Sequence, residues 1–230
     1  MNRAVILAAG SGTRINSYTP KQYIEINGRP LICYSLETFN SHPLIDDIIL
    51  VVKKEHISLV RKIISSYKYK KVSNIITGGK ERYESSLAAL NECSDKNDII
   101  LFHDSARPLV SAQIITKCVN AMEKYNAVTV AIPTTDTIYI SDEKKRLVSI
   151  PQRDRLLNAQ TPQCFRLSTI KEAFSKALSD NTFIPTDDCS IVQRYLPSCP
   201  ILIIEGETRN FKVTYDEDIE LVKKLLNSHN

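Results

Sequence analysis

The chain has 230 residues, of which 43% are hydrophobic and 24% charged, with a formal net charge of +4. That length buries one sizeable core, so residues 1–230 are expected to form a single domain. The mild positive charge suits a binder of small anions and is too small to argue by itself for nucleic acid, which is not expected as a partner, and no apolar run approaches the roughly 18 residues of a membrane span.

A strand over 4–7 opens the chain and runs into a small-residue loop, Ala8-Ala9-Gly10-Ser11-Gly12-Thr13, with two cations, Arg14 and Lys21, close behind. Small side chains let backbone N–H groups approach a polyphosphate, and the cations neutralise its charge. The spacing fits neither Gly-x4-Gly-Lys-Ser/Thr nor Gly-x-Gly-x-x-Gly. Standing alone, the loop reads first as an ordinary strand-to-helix turn. Apolar residues begin at Ala4, which leaves no room for a signal peptide before them.

Helical spacing follows over 31–39, 57–67, 83–91 and 112–125, alternating with apolar runs at 47–52, 72–76, 99–103 and 127–132. This rhythm predicts an α/β fold: a Rossmann-like, mainly parallel sheet with helices on both faces. The unbroken run Ile48-Ile49-Leu50-Val51-Val52 suits a strand covered on both sides. The basic stretch Tyr67-Lys68-Tyr69-Lys70-Lys71 reads as a solvated helix end.

The rhythm breaks at 134–159, which reads as two extended pieces around a Ser-Asp-Glu-Lys turn, with Ile138 and Ile140 on one face and Val148 and Ile150 on one face of the return. So small a hairpin has little core of its own and is expected to pack on its own domain or on a partner subunit. Helices over 168–178 and 216–226 and a strand over 201–204 complete the pattern. The six cysteines show no Cys-x-x-Cys pairing. They read as reduced structural thiols of a cytoplasmic protein, and zinc is not expected.

Ligands of open parallel sheets bind beyond the carboxyl ends of the strands. Besides the first loop, those positions hold Gly78-Gly79-Lys80-Glu81-Arg82 with Ser85, then His103-Asp104-Ser105-Ala106-Arg107-Pro108, then Thr134-Thr135-Asp136-Thr137. Farther on lie Arg153, Thr161-Pro162-Gln163, Thr186-Asp187-Asp188 and Arg209-Asn210-Phe211-Lys212-Val213-Thr214. Cations, glycines and hydroxyls dominate, with Asp104 a single well-placed carboxylate. No nucleophile elbow and no His-Glu-x-x-His is present, so the inventory suits phosphoryl or nucleotidyl transfer. Each residue also has a structural alternative. Asp104 can cap a helix, His103 can be a packed strand end, Thr161-Pro162-Gln163 a loop, and Lys212 an edge-strand charge.

Taken in order, these segments resemble the cytidylyltransferase family that makes CDP-activated polyol phosphates. That family includes the 2-C-methyl-D-erythritol 4-phosphate enzymes of isoprenoid biosynthesis and the ribitol-5-phosphate enzymes of cell-wall and capsule assembly. The resemblance covers nearly the whole chain and implies a reaction of CTP with a polyol phosphate. It implies that Ala8, Ala9, Gly10, Ser11, Gly12 and Thr13 cradle the CTP phosphates and that Arg14, Lys21 and Lys212 are the catalytic cations. Gly78, Gly79 and Ser85 would recognise cytosine and ribose, and Asp104 would ligate Mg²⁺. Arg107, Thr161 and Thr186 would join Lys212 on the polyol phosphate. The family's homodimers exchange an extended arm, so Thr137 and Arg153, on the stretch at about 134–159, would enter the partner's site. The His-Asp-Ser-Ala-Arg-Pro and Thr-Asp-Thr-Ile segments resemble the methylerythritol phosphate enzymes, and Ile150-Pro151-x-Arg153-Asp154 resembles the ribitol phosphate ones; the former reading is favoured. A glycosyltransferase would want Asp-x-Asp where His103-Asp104-Ser105-Ala106 stands. A non-catalytic nucleotide-binding regulator could have lost Lys21, Asp104 and Lys212, and all three are present.

Overall fold

The computed structural model describes residues 1–10, 19–180, 182 and 185–228. The expectations for Ser11, Gly12, Thr13 and Arg14 therefore lie outside the described residues. From the N-terminus, β1 (Asn2–Ala8) precedes a 3-10 turn at Lys21–Tyr23, a small ribbon of β2 (Glu25–Ile26) and β3 (Arg29–Pro30), and α1 (Leu31–Ser41). The alternation continues through β4 (Asp47–Val52), α2 (Ile57–Tyr67), β5 (Val72–Thr77), α3 (Arg82–Asn91), β6 (Ile99–Asp104), α4 (Ala112–Ala121) and β7 (Ala127–Pro133). Then come a hairpin of β8 (Ile140–Ser141) and β9 (Leu147–Ser149), β10 (Leu157–Arg166), α5 (Leu167–Ala177), α6 (Asp188–Tyr195), β11 (Ile201–Glu205) and α7 (Asp216–Asn227). Asn27 and Gly28, joining β2 to β3, have φ of 50° and 74°, the left-handed pair that an Asn-Gly hairpin turn adopts readily.

Seven strands form one sheet in the order β11-β7-β10-β6-β1-β4-β5. All neighbours pair in parallel except β10, which runs against both β6 and β7. The two faces of β1 and β4 fill two different cores, as a period of two requires. Ala4, Ile6, Ile48 and Leu50 meet one set of helices with Phe39 and Ile115. Val5, Leu7, Ile49 and Val51 meet the other with Leu90 and Phe174. All six residues of β4 are buried, in keeping with its continuous apolar sequence.

Two sequence expectations need correction. Thr161-Pro162-Gln163 is not a loop but part of β10, whose pairing with β7 shifts register between Gln160 and Cys164. Pro162 has no N–H to give the ladder, so the strand irregularity falls there while buried Cys164 and Phe165 resume the pairing. Lys212 does not sit on an edge strand either; it lies in the irregular segment between β11 and α7. Within the 134–159 stretch only 140–149 pairs as a hairpin, its turn closed by Asp142, which accepts from the N–H groups of Lys144 and Arg146 at 2.9 Å each, while Leu157, Asn158 and Ala159 already belong to β10 and pair with β7. Among the described residues no helix is long and apolar enough to cross a membrane.

Candidate active site

Sheet order reverses at β1, which has β4 on one side and β6 on the other, and such a switch point opens a crevice at the strands' carboxyl ends. Register places Leu7 beside Asp104 and Ala8 beside Val52, with Val52 in turn beside Thr77. The chain following β1, the Gly78-Gly79 turn and Asp104 therefore leave the sheet at one end. Gln22, 2% exposed, fastens the first of these by donating from Nε2 to the Ala8 carbonyl at 2.8 Å. Gly78 tolerates no side chain: a Cβ there would stand 2.6 Å from both the Ala9 Cβ and the Ser85 Oγ. Ser85 Oγ accepts from the Gly79 N–H at 3.2 Å, tying the turn to the first coil of α3.

Four charged groups meet on the floor of the crevice. Lys212 Nζ lies 2.7 Å from Asp104 Oδ2, and Arg82 Nε lies 3.2 Å from Asp104 Oδ1. Arg82 Nη1 reaches a second carboxylate, Asp188 Oδ2, at 2.6 Å. Burial alone would raise the Asp104 pKa, but the charges of Arg82 and Lys212 outweigh it and hold this carboxyl well below the usual carboxylate range. Burial raises Asp188 instead, with Arg82 opposing the shift.

The floor is braced from beneath. Thr161 Oγ1 accepts the Asp104 N–H at 3.2 Å and contacts His103 Nδ1 at 3.0 Å, while His103 Nε2 lies 3.0 Å from the Arg107 carbonyl. A neutral imidazole protonated on Nε2 satisfies both contacts, with Thr161 donating to Nδ1. Burial agrees, pushing the His103 pKa down to about 4. The segment carrying Lys212 is held by Asn210, fully buried, whose Nδ2 donates to Gln160 Oε1 at 3.0 Å and to the Thr161 carbonyl at 2.9 Å. Arg107 donates to the carbonyls of Asn210 and Ala159 at 2.8 and 2.9 Å. Lys21 Nζ donates to the Val213 carbonyl at 2.9 Å, which places its cation at the same mouth.

A family model described as 2-C-methyl-D-erythritol 4-phosphate cytidylyltransferase matches residues 3–228. The chain belongs to this family. It is 39% identical to the 2-C-methyl-D-erythritol 4-phosphate cytidylyltransferase of Thermobifida fusca, over 97% of this chain and 92% of that one. It is also 37% identical to the bifunctional ribulose 5-phosphate reductase/CDP-ribitol pyrophosphorylase of Haemophilus influenzae, over 99% of this chain and 48% of that longer protein. Among solved structures, the 4-diphosphocytidyl-2C-methyl-D-erythritol synthase of Anaerococcus prevotii superposes with a TM-score of 0.86 at 31% identity, covering 98% of this chain and 96% of the other. The chain is accordingly a CTP-dependent nucleotidyltransferase of the cytidylyltransferase family.

Of the residues singled out from sequence, the cleft of this family member gathers Ala8, Ala9, Gly10, Lys21, Gly79, Ser85, Asp104 and Lys212, with Gly78 packed directly behind. Thr137 and Arg153 are exposed on the hairpin and its return, away from the cleft lining, as is Thr186 ahead of α6. Thr161, expected on the polyol phosphate, is 4% exposed, and its hydroxyl is engaged by His103 and Asp104 under the floor. Sequence reasoning gave no role to Gln22, Arg82, Asn210 or Gln160, and read Asp188 only, with Asp187, as a cap of the following helix. Arg82 and Asn210 stood inside quoted segments, yet their partners lie 106 and 50 positions away, a separation at which no local pattern exists.

Proposed function

We propose that this chain transfers the cytidylyl group of CTP to 2-C-methyl-D-erythritol 4-phosphate, releasing pyrophosphate. The observation that carries this reading is the ionised carboxylate of Asp104, set among Lys21, Arg82 and Lys212 at the switch point of the sheet, beside a turn that admits only glycine. A site so built gathers anions without offering a nucleophile. In the reaction, an oxygen of the acceptor's phosphate, already an anion, attacks the α-phosphorus of CTP in line; the new P–O bond forms as the bond to the β-phosphate oxygen breaks. No general base is required, and the barrier lies in bringing two anions together.

The residues take the following parts. Ala8, Ala9 and Gly10, continued by Ser11, Gly12 and Thr13, would cradle the triphosphate, with Arg14 and Lys21 opposing its charge. Gly78, Gly79 and Ser85 would line a backbone-walled slot for cytosine and ribose, too tight for a purine. Lys212 would bridge the reacting phosphates, with Arg107 and Thr186 on the acceptor side, and Thr161 would hold Asp104 in place. Thr137 and Arg153 would complete the site of a second subunit, reached by the hairpin in a homodimer. The six free cysteines accord with a reducing, cytoplasmic setting.

Among the described residues no cluster of three carboxylate, imidazole or thiolate groups could cage a metal ion. The donor set nonetheless fits Mg²⁺, which commonly takes one or two carboxylates and draws its remaining ligands from substrate phosphates and water. Asp104 would hold it, and when bound it would supply charge neutralisation at the phosphates.

The Haemophilus relative supports a second reading, in which ribitol 5-phosphate is the acceptor and CDP-ribitol the product. Pyrophosphate release measured with CTP, ATP and UTP, each with both polyol phosphates, tests the two together. The first reading expects release from CTP with the methylerythritol phosphate. Preference for ribitol 5-phosphate would move the assignment to the second, and release with neither would overturn both.

A further inference from the structure

Arg82 is split between two carboxylates. An arginine beside one carboxylate ordinarily takes both oxygens in a parallel fork. Here only Nε turns to Asp104, at 3.2 Å, while Nη1 makes the shorter contact, 2.6 Å, with Asp188. Asp188 is fully buried, and it is not free to follow Arg82 elsewhere. It is the first residue of α6; its N–H donates to Gln163 Oε1 at 3.2 Å, and the same amide's Nε2 donates to Asp187 Oδ2 at 2.6 Å. The antiparallel strand β10 thus carries the amide that stations Asp188 behind Arg82. The remaining oxygen of Asp104 accepts from Lys212 Nζ at 2.7 Å, and that lysine's side chain is 39% exposed at the cleft.

We propose that Asp188 is a positioning residue for the cation-binding carboxylate: by holding one arm of Arg82, it limits that arginine to one oxygen of Asp104 and leaves the other to Lys212 alone, a half-exposed side chain that a divalent cation and its phosphates can draw away. This rests on the functional reading above, in which Asp104 holds the metal that accompanies the nucleotide. Without the charge of Asp188, the whole guanidinium charge falls on Asp104, and a cation must then displace Arg82 as well as Lys212. Arg82 and Asp188 together form a neutral pair, so removing both leaves Asp104 at least as open to a cation as before.

The test is the affinity of the protein for α,β-methylene-CTP, which cannot release pyrophosphate, measured by calorimetry in Mn²⁺ and again in EDTA. The ratio of the two affinities reports how far the metal tightens the nucleotide. Asp188→Asn, which keeps the shape and removes the charge, should reduce that ratio about tenfold, the scale of losing a group that orients a metal ligand. Adding Arg82→Gln should restore it. A role confined to packing would lower the melting temperature, recorded alongside, and leave the ratio alone. An unchanged ratio in folded Asp188→Asn, or failure of the second substitution to restore it, overturns the inference while the functional reading stands. Should Asp188→Asn not fold, the double variant decides: a ratio at or above wild type supports the inference, and one below overturns it. A wild-type ratio of one also overturns it, and no nucleotide binding in either buffer brings down the functional reading with it.

Discussion

Lys21 carries its charge to the cleft from a 3-10 turn and anchors there on the carbonyl of Val213. It therefore ties the turn to the Lys212 segment, and in the proposed reaction its ammonium group would meet the nucleotide's phosphates. Lys21→Ala should lower kcat by on the order of 10²-fold or more, as for one lost transition-state donor. Steady-state turnover close to wild type would contradict that role. His103 acts at the same scale but on stability. Its buried ring has its pKa pushed down to about 4, against roughly 6.5 in an unfolded chain. Between those values the unfolded chain binds a proton that the native ring refuses. Stability from this group is thus fully present above about 6.5 and is lost as pH falls toward 4. Wild type should lose about 2 kcal/mol more than His103→Asn between pH 7 and pH 5 in urea unfolding. Parallel losses in the two proteins would contradict the assignment. Asp104 was legible in the sequence because it directly follows an apolar strand whose end points into the crevice. The company it keeps was not, because Arg82 arrives from the start of α3 and Lys212 from the segment after β11, 22 and 108 positions away.

At the scale of elements, the β8–β9 hairpin is the part least absorbed by its own domain. Tyr139 is 65% exposed and Val148 62%, and Ile140, Leu147 and Ile150 are exposed beside them. Isolated two-stranded ribbons are marginal in water, so an apolar hairpin of this kind calls for a covering surface. The proposed homodimer supplies one. Val148→Asp should leave the melting temperature of the body nearly unchanged while shifting the sedimenting species from dimer to monomer and reducing turnover. A wild-type protein that sediments as a monomer, or a variant that stays dimeric, would count against the arm. The hairpin itself was visible in sequence as alternating residues around a charged turn, which Asp142 closes locally. The start of α6 was legible only through Asp187 and Asp188 as capping residues; that Asp187 is the cap and that Gln163 of β10 holds the Asp188 N–H are features of the fold.

For the whole molecule, stability rests on a sheet with a core on each face. Phe165 of β10 is fully buried and packs against Phe102 of β6, their rings 6.3 Å apart. It joins the reversed strand to the parallel half of the sheet. Phe165→Ala should cost about 3–5 kcal/mol, read as a lower urea midpoint at unchanged slope. A loss below about 1 kcal/mol would mean that the β6–β10 seam is not the core contact it is taken to be. The alternation of strands and helices up to residue 133 was determined by the sequence alone, because burial on one face or both leaves a local signature of period 2 or 3.6. The loops that hold small residues and cations followed from it, since strand ends on a parallel sheet share one edge. The insertion of β10 between β6 and β7, running backwards, belongs to the tertiary structure. Its hydrogen-bond partners lie far off in the chain, and Pro162 interrupts the local strand pattern. The Asp104–Arg82–Asp188 cluster belongs there too: an ion pair between residues 106 positions apart leaves no trace in either neighbourhood. Only folding brings the two together.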